Sequence, residues 1–439
     1  MLARAAFMRW LALRLAVCVA LFAAGGAVGA LAHREGWHKA IREQLGLATE
    51  PPAAAPGWPN FIRAPAAVSE DLDTQLRALG YLTGYEAGSG ASGVRTTADA
   101  QPGLTLYTSG HAPEARLMDT SGHVIHHWRF EDSEVKPGLA QWWRRARALP
   151  NGDLFAIADY WAIYKLDRNS KLLWRFDGRC HHDLDVTADG RVWVLTRESR
   201  VHPAFPGREI YDDSIAILAP DGTLMRKISI LDAFVNSDFA PLVMRSSERA
   251  DILHTNTVEV LDGRLARRIP AFRAGNVLVS LRATDTVAVI DIATERVVWA
   301  LAGPWEAQHE PVVIGNDRLM VFDNRGRNGE SRVVEIDPAT QEVAWVYPRN
   351  AHTSLNAIAM GAAQRLSGGN TLIVESTRGH AIEVTGDGRT VWEFWNPERA
   401  GENGEFIATL PHMERLPADF PHAWTTPPVT RAAASASAR

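Results

Sequence analysis

The sequence predicts an all-β fold: a six-bladed β-propeller of four-stranded blades, its ring closed by a C-terminal strand, preceded by an N-terminal transmembrane or signal helix. Three observations predict it. A unit of alternating strand, Asp- or Gly-containing turn and second strand ending in Trp recurs between about 104 and 416. The Trp-to-Trp steps are 46 (Trp128 to Trp174), 46 (Trp299 to Trp345) and 47 (Trp345 to Trp392), a period at which several short strands make one propeller blade. The first unit, Leu104 to Phe130, lacks an inner strand, and Pro411 to Leu416 near the C-terminus supplies one.

Residues 1–33 read as a signal or transmembrane anchor. Arg4, Arg9 and Arg14 precede 18 uncharged, apolar residues from Leu15 to Ala32. The positive flank stays in the cytoplasm, which puts the rest on the periplasmic side of the inner membrane. The segment is retained as a single-pass anchor, or cut at Ala30-Leu31-Ala32; both readings stand. Residues 34–103 read as a helical and Pro-rich linker: a short amphipathic helix, a Pro/Ala stretch through Pro51, Pro52, Pro56 and Pro59, a second helix over Asp71 to Leu82, then loop from Gly88. The propeller occupies 104–426, and the Ala/Ser-rich residues 427–439 read as a disordered tail.

Inside the propeller, each Trp-ending pair supplies the outer strands C and D. Earlier pairs, such as Val186 to Gly190 with Val192 to Thr196 and Leu366 to Gly369 with Thr371 to Glu375, supply the inner strands A and B. A degenerate unit around Ile215 to Leu218 has no Trp. The Trp side chains are expected to pack between blades.

Composition narrows the function. With 46 basic and 51 acidic residues the net charge is −5, and no basic stripe with interleaved aromatics points to nucleic acid. Two cysteines exclude a disulfide scaffold and a Cys-based zinc cluster. Cys180 is the single cysteine outside the apolar N-terminal run, so an intramolecular disulfide in the exported part is excluded as well. There is no phosphate-binding Gly loop followed by Lys-Ser/Thr, no serine nucleophile elbow and no standout carboxylate pair.

In a propeller the start of strand A and the B–C turn share one face of the disc. The A-strand starts carry His182, His254, His309 and His412. The B–C turns carry His111, Arg197, Arg282, Asn324, Arg325, Arg327 and His380. Histidine and arginine at equivalent places in one repeat make a cationic funnel suited to an oxyanion such as sulfate, phosphate or carboxylate. Two other readings stay open: hydrogen bonds between blades, and convergent His ligands for zinc, copper or iron. The abundant Arg argues against a dication.

The run Tyr107-Thr108-Ser109-Gly110-His111-Ala112-Pro113-Glu114-Ala115 before Leu117-Met118-Asp119 resembles the entry segment of bacterial arylsulfotransferase-like proteins. His254-Thr255-Asn256-Thr257, Gln308-His309 with Phe322-Asp323-Asn324, and Gly369-Asn370-Thr371-Leu372 are similar to other segments of that family in the same order. The resemblance covers about 104–398. It implies a periplasmic six-bladed propeller that moves a sulfuryl group from an aryl sulfate to a phenolic acceptor, without nucleotide donor, metal or other cofactor, through a sulfohistidine. It implies His254 and His309 as the first and second active-site histidines, Arg327 as the grip on the sulfuryl oxygens and His380 as the sulfated residue. Arg282, Arg325, Asn324, His182, His111, Arg197 and His412 are expected to contact substrate. Pro311 departs from the family, whose enzymes have Asn at that place. The alternative is a non-catalytic, membrane-tethered propeller that binds an anionic glycan or a protein partner. Specificity is expected in the insertions near 199–212 and 231–252.

Overall fold

Strands whose residues are buried on both faces need packing partners on both sides. Leu154–Ala158, Val277–Leu281 and Thr371–Glu375 are buried at every position. The outer strands Val124–Arg129 and Leu224–Ser229 are mostly exposed or half-buried. Sheets standing side by side, each sandwiched between two others, meet both demands. The computed structural model describes residues 84–87, 92–135, 142–326, 329–349, 354–357, 359–401 and 403–425. The expected anchor (1–33), the short helix over Asp71 to Leu82 and the tail (427–439) lie outside the described residues.

The fold is an all-β propeller of antiparallel sheets. Four sheets are separate blades. One pairs Met413–Arg415 with Thr105–Thr108, Glu114–Met118 and Val124–Arg129, so a C-terminal strand completes the N-terminal sheet. Two are built from Thr255–Val260 to Arg296–Ala302 and from His309–Ile314 to Val343–Tyr347. The last runs from Ala362–Arg365 to Thr390–Trp395. Apolar clusters fill the spaces between successive sheets, including the space between the last and the first.

The expectation of six separate four-stranded blades is corrected. The residues expected to form the second and third blades make one seven-stranded sheet from Trp143–Ala148 to Leu224–Ser229. The reason is the 15-residue strand Leu172–Val186. Its first part pairs with Trp161–Leu166 and its second with Val192–Val201, and Cys180 has a partner on each side, Trp161 and Thr196. With no loop between outer and inner strand, the sheet never breaks. The backbone instead bends through left-handed residues, Arg179 at φ 47° and His182 at φ 55°.

The segment expected to be loop after Gly88 differs too. Gly93–Thr96 pairs with Thr390–Trp395 as a fifth strand of the last sheet, covering an edge that would otherwise be open. The insertion near 199–212 is the tip of a hairpin arm, paired from Arg197↔Asp213 out to Val201↔Glu209. The insertion near 231–252 contains the helices Ile230–Val235 and Ala240–Met244.

The repeated Trp residues clasp neighbouring units. The indole Nε1 of Trp128 donates to the Gly152 carbonyl (3.0 Å), Trp174 to Pro220 (3.0 Å), Trp345 to Gly386 (3.1 Å) and Trp392 to Thr120 (2.9 Å). The Trp174 clasp fixes Gly222. Its φ is +87°, and a Cβ there would come within 2.7 Å of the indole.

Inner strands of neighbouring sheets form no backbone ladder with each other. Their N–H groups need other acceptors. Acidic and amide side chains supply them. Asp183 accepts from Val258 N (2.9 Å), Asp185 from Val260 N (2.8 Å) and Glu259 from Val313 N (3.1 Å). Gln364 accepts from Arg415 N (2.8 Å) and donates to Arg415 O (2.9 Å). These strands surround a central cavity of about 570 Å³.

Burial pushes the Glu259 carboxyl up to about 8 from 4.5. Between those values the folded chain holds a proton that the unfolded chain has lost, so stability falls as pH rises through this window. Glu259→Gln keeps an oxygen for Val313 N and cannot ionise. Denaturant unfolding across pH 4–9 should show no gain for the variant at pH 4, and a gain that grows to on the order of 1–3 kcal/mol by pH 8.

Candidate active site

The inner strands begin on one face, and their first residues carry the chemistry: Arg144, His182, His254 and His309. His182 and His254 both sit at positive φ, 55° and 48°, which turns the chain as it enters its strand. Their rings are 5.3 Å apart, edge to face.

Each of these three histidines is tied at Nδ1. His309 Nδ1 lies 2.7 Å from Asn324 Oδ1 and 3.1 Å from the Ala307 carbonyl, both acceptors. The Asn324 amide is oriented by donating to the Ala357 and Met360 carbonyls, each at 2.7 Å. His309 therefore carries its proton on Nδ1, and its Nε2 holds a lone pair with no protein partner among the described residues. His254 Nδ1 donates to Asp251 Oδ2 at 2.6 Å. His182 Nδ1 meets His181 Nδ1 at 2.8 Å, and His181 Nε2 faces Asp213 Oδ1 at 3.4 Å. The 3.4 Å contact places the Asp213 carboxylate beside the buried His181 ring, and His181 in turn occupies Nδ1 of His182.

Positive charge surrounds these rings. Burial, then the Arg144 and Arg282 guanidiniums, hold His309 well below the usual imidazole value, against the opposing effect of its hydrogen bond to Asn324. Burial, then Arg144, His181, His254 and Arg197, do the same to His182. Asp251, despite its burial, is held far below the usual carboxylate range by Arg197 and His254.

The structure brings His182, His254, His309 and Arg282 together. Arg197 stands behind them as a support: it binds Asp213 (2.7 Å) and Asp251 (2.8 Å) and lies over the Tyr160 and Tyr211 rings. Asn324 orients His309. Arg325 lies at the surface with Glu306 at 3.4 Å. Arg327 lies outside the described residues. His412 faces the central cavity, its Nδ1 without a hydrogen-bond partner among the described residues; burial, then Arg145 and Arg147, push it well below the usual imidazole value. His111 sits apart, with Ser109 Oγ at 2.7 Å and Glu114 and Glu398 each at 3.6 Å.

His380 is also set apart. Its Nδ1 meets Glu375 at 2.6 Å, its Nε2 meets Glu393 at 3.1 Å, and its ring stacks on Trp395 at 4.0 Å. Both nitrogens are occupied, in contrast to His309. Among the described residues, no group of three or more His, Cys, Asp or Glu side chains is arranged to hold a metal ion.

Sequence reasoning missed Arg144, Asp213 and Asp251. Arg144 is the second residue of the inner strand Trp143–Ala148, near the place where other units carry His182, His254 and His309. Asp251 stands three residues before His254, close enough to cap its ring.

The family model for arylsulfotransferase (ASST) matches residues 148–397, more than half of the chain. The chain belongs to the arylsulfotransferase family. The match spans His182, His254, His309, Arg282 and Asn324, and it implies sulfuryl-transfer chemistry with aryl sulfates and phenols at the level of the family. No curated protein matches the chain. Among solved structures it is similar to a protein of unknown function from Bacteroides caccae, with 13% identity, a TM-score of 0.48, and coverage of 71% of this chain and 98% of that one. It is also similar to a streptogramin B lyase, with 14% identity, a TM-score of 0.41, and coverage of 74% and 88%.

The tautomer lock yields a prediction. Asn324→Ala removes the Oδ1 that fixes the His309 proton and strands the two carbonyls its amide serves. Turnover of a chromogenic aryl sulfate should fall on the order of 10²-fold, while circular dichroism shows a folded β protein.

Proposed function

We propose that this arylsulfotransferase moves a sulfuryl group from an aryl sulfate ester to a phenolic acceptor through a sulfohistidine, and that His309 is the carrier. The observation that carries this reading is the open Nε2 of His309, opposite an Nδ1 held by two acceptors. An imidazole kept neutral by burial and nearby guanidiniums is ready to act as a nucleophile. His380, expected as carrier from the family resemblance, has no free ring nitrogen and is not used as one here.

In the first half-reaction the Nε2 lone pair attacks sulfur, the N–S bond forms and the S–O(aryl) bond breaks. The departing phenolate takes a proton from His254, which enters the cycle as the imidazolium held through Nδ1 by Asp251. In the second half-reaction the acceptor phenol gives its proton back to His254 as its oxygen attacks sulfur. The N–S bond breaks and the electron pair returns to Nε2. Arg282 supports the charge on the non-bridging oxygens. The protein works on the periplasmic side of the inner membrane, held by residues 1–33.

Initial-rate kinetics with a chromogenic aryl sulfate and varied phenol test this. Parallel double-reciprocal lines, the ping-pong signature, are expected. His309→Ala should lose at least about 10³-fold in kcat/KM, and His380→Ala much less. Protonating His309 removes its lone pair, so kcat/KM should hold from pH 8 down to the usual imidazole value near 6.5 and fall only below it. Binding of aryl sulfate without phenol release would overturn the reading in favour of a binding module.

A further inference from the structure

We infer that Arg144 grips the sulfuryl oxyanion, an assignment that rests on the sulfuryl-transfer reading above. Arg144 is 6% exposed. The other deeply buried arginines around the axis all have counter-ions. Arg145 binds Asp183 and Glu310, each at 2.7 Å. Arg197 binds Asp213 and Asp251, and Arg415 faces Glu383 at 3.3 Å. Arg144 has no carboxylate within ion-pairing distance and no side-chain hydrogen bond among the described residues. Glu310, an acid that feels its charge, is engaged by Arg145.

A buried cation without a counter-ion is costly to keep. The cost makes sense where the counter-ion is a ligand. The location supports this. Arg144 acts on both His182 and His309 through its charge, as His254 does, which puts it among the three open imidazoles. Its nitrogens are not among the sealed, unpartnered polar atoms, so the guanidinium reaches open space. A sulfate monoester carries one negative charge over three non-bridging oxygens. A planar guanidinium takes two of them at once, leaving sulfur turned toward His309 Nε2. Lysine at the same place would supply charge without the fork.

The test uses full-length protein and inorganic sulfate as the probe, by calorimetry at low ionic strength. Wild type should bind sulfate, Arg144→Ala should bind it at least tenfold more weakly, and Arg144→Lys should fall between. In NMR titrations the His309 and His182 rings should take up protons at higher pH in Arg144→Ala, a change that a purely structural role does not produce. If the Ala variant does not fold, Arg144→Gln is held to the same expectations. Sulfate affinity in Arg144→Ala within twofold of wild type, or no sulfate binding by wild type, overturns the assignment. Sulfate binding that depends on Arg144 in a protein that never releases phenol supports the anion grip while sinking the transfer reading, so the two failures are distinguishable.

Discussion

The ring depends on one constraint: the inner strands of neighbouring sheets cannot hydrogen-bond to each other through their backbones. Their amides face a cavity, and each needs an acceptor from next door. Asp183, Asp185 and Glu259 reach across to Val258, Val260 and Val313. The stitches fix the height of one inner strand against the next. The first residues of those strands are therefore held at defined places, and these first residues are Arg144, His182, His254 and His309. Arg145 ties the same network together, since its two carboxylate partners come from different sheets.

The site uses this rigidity to separate two kinds of histidine. Where both ring nitrogens meet acids, as in His380, the ring is a link between strands. Where Nδ1 alone is held, as in His182, His254 and His309, the opposite nitrogen has no protein partner among the described residues. The arginines divide in a similar way. Arg145 and Arg197 neutralise carboxylates and build the wall, while Arg144 and Arg282 have no such partner among the described residues and leave the pocket cationic.

Much of the fold was legible because its signals are local and repeated. Each Trp must reach a turn carbonyl of the next unit, so its spacing reports the period. The missing inner strand of the first unit pointed to Met413–Arg415. Other features left no such trace. The continuity of Leu172–Val186 depends on the absence of loop residues between two strands, which an expected boundary conceals. Gly93–Thr96 joins an edge through backbone bonds alone, and its composition reads as loop. In the site, the histidines at strand starts were visible as a set. Arg144 was hidden because Trp-Arg-Arg-Ala-Arg-Ala does not alternate like an inner strand. The occupancy of His380 was hidden because Glu375 and Glu393 meet it only once three strands pair.

The central claim is that His309 carries the sulfuryl group. The most direct measurement is intact-protein mass, followed by peptide mapping at a pH that preserves phosphoramidate-like N–S bonds, after mixing the protein with an aryl sulfate and no acceptor. The account predicts a gain of one sulfuryl group on the peptide containing His309, present in His380→Ala and absent in His309→Ala. A sulfuryl group on the peptide containing His380, or phenol released with no gain of mass in any variant, would contradict it.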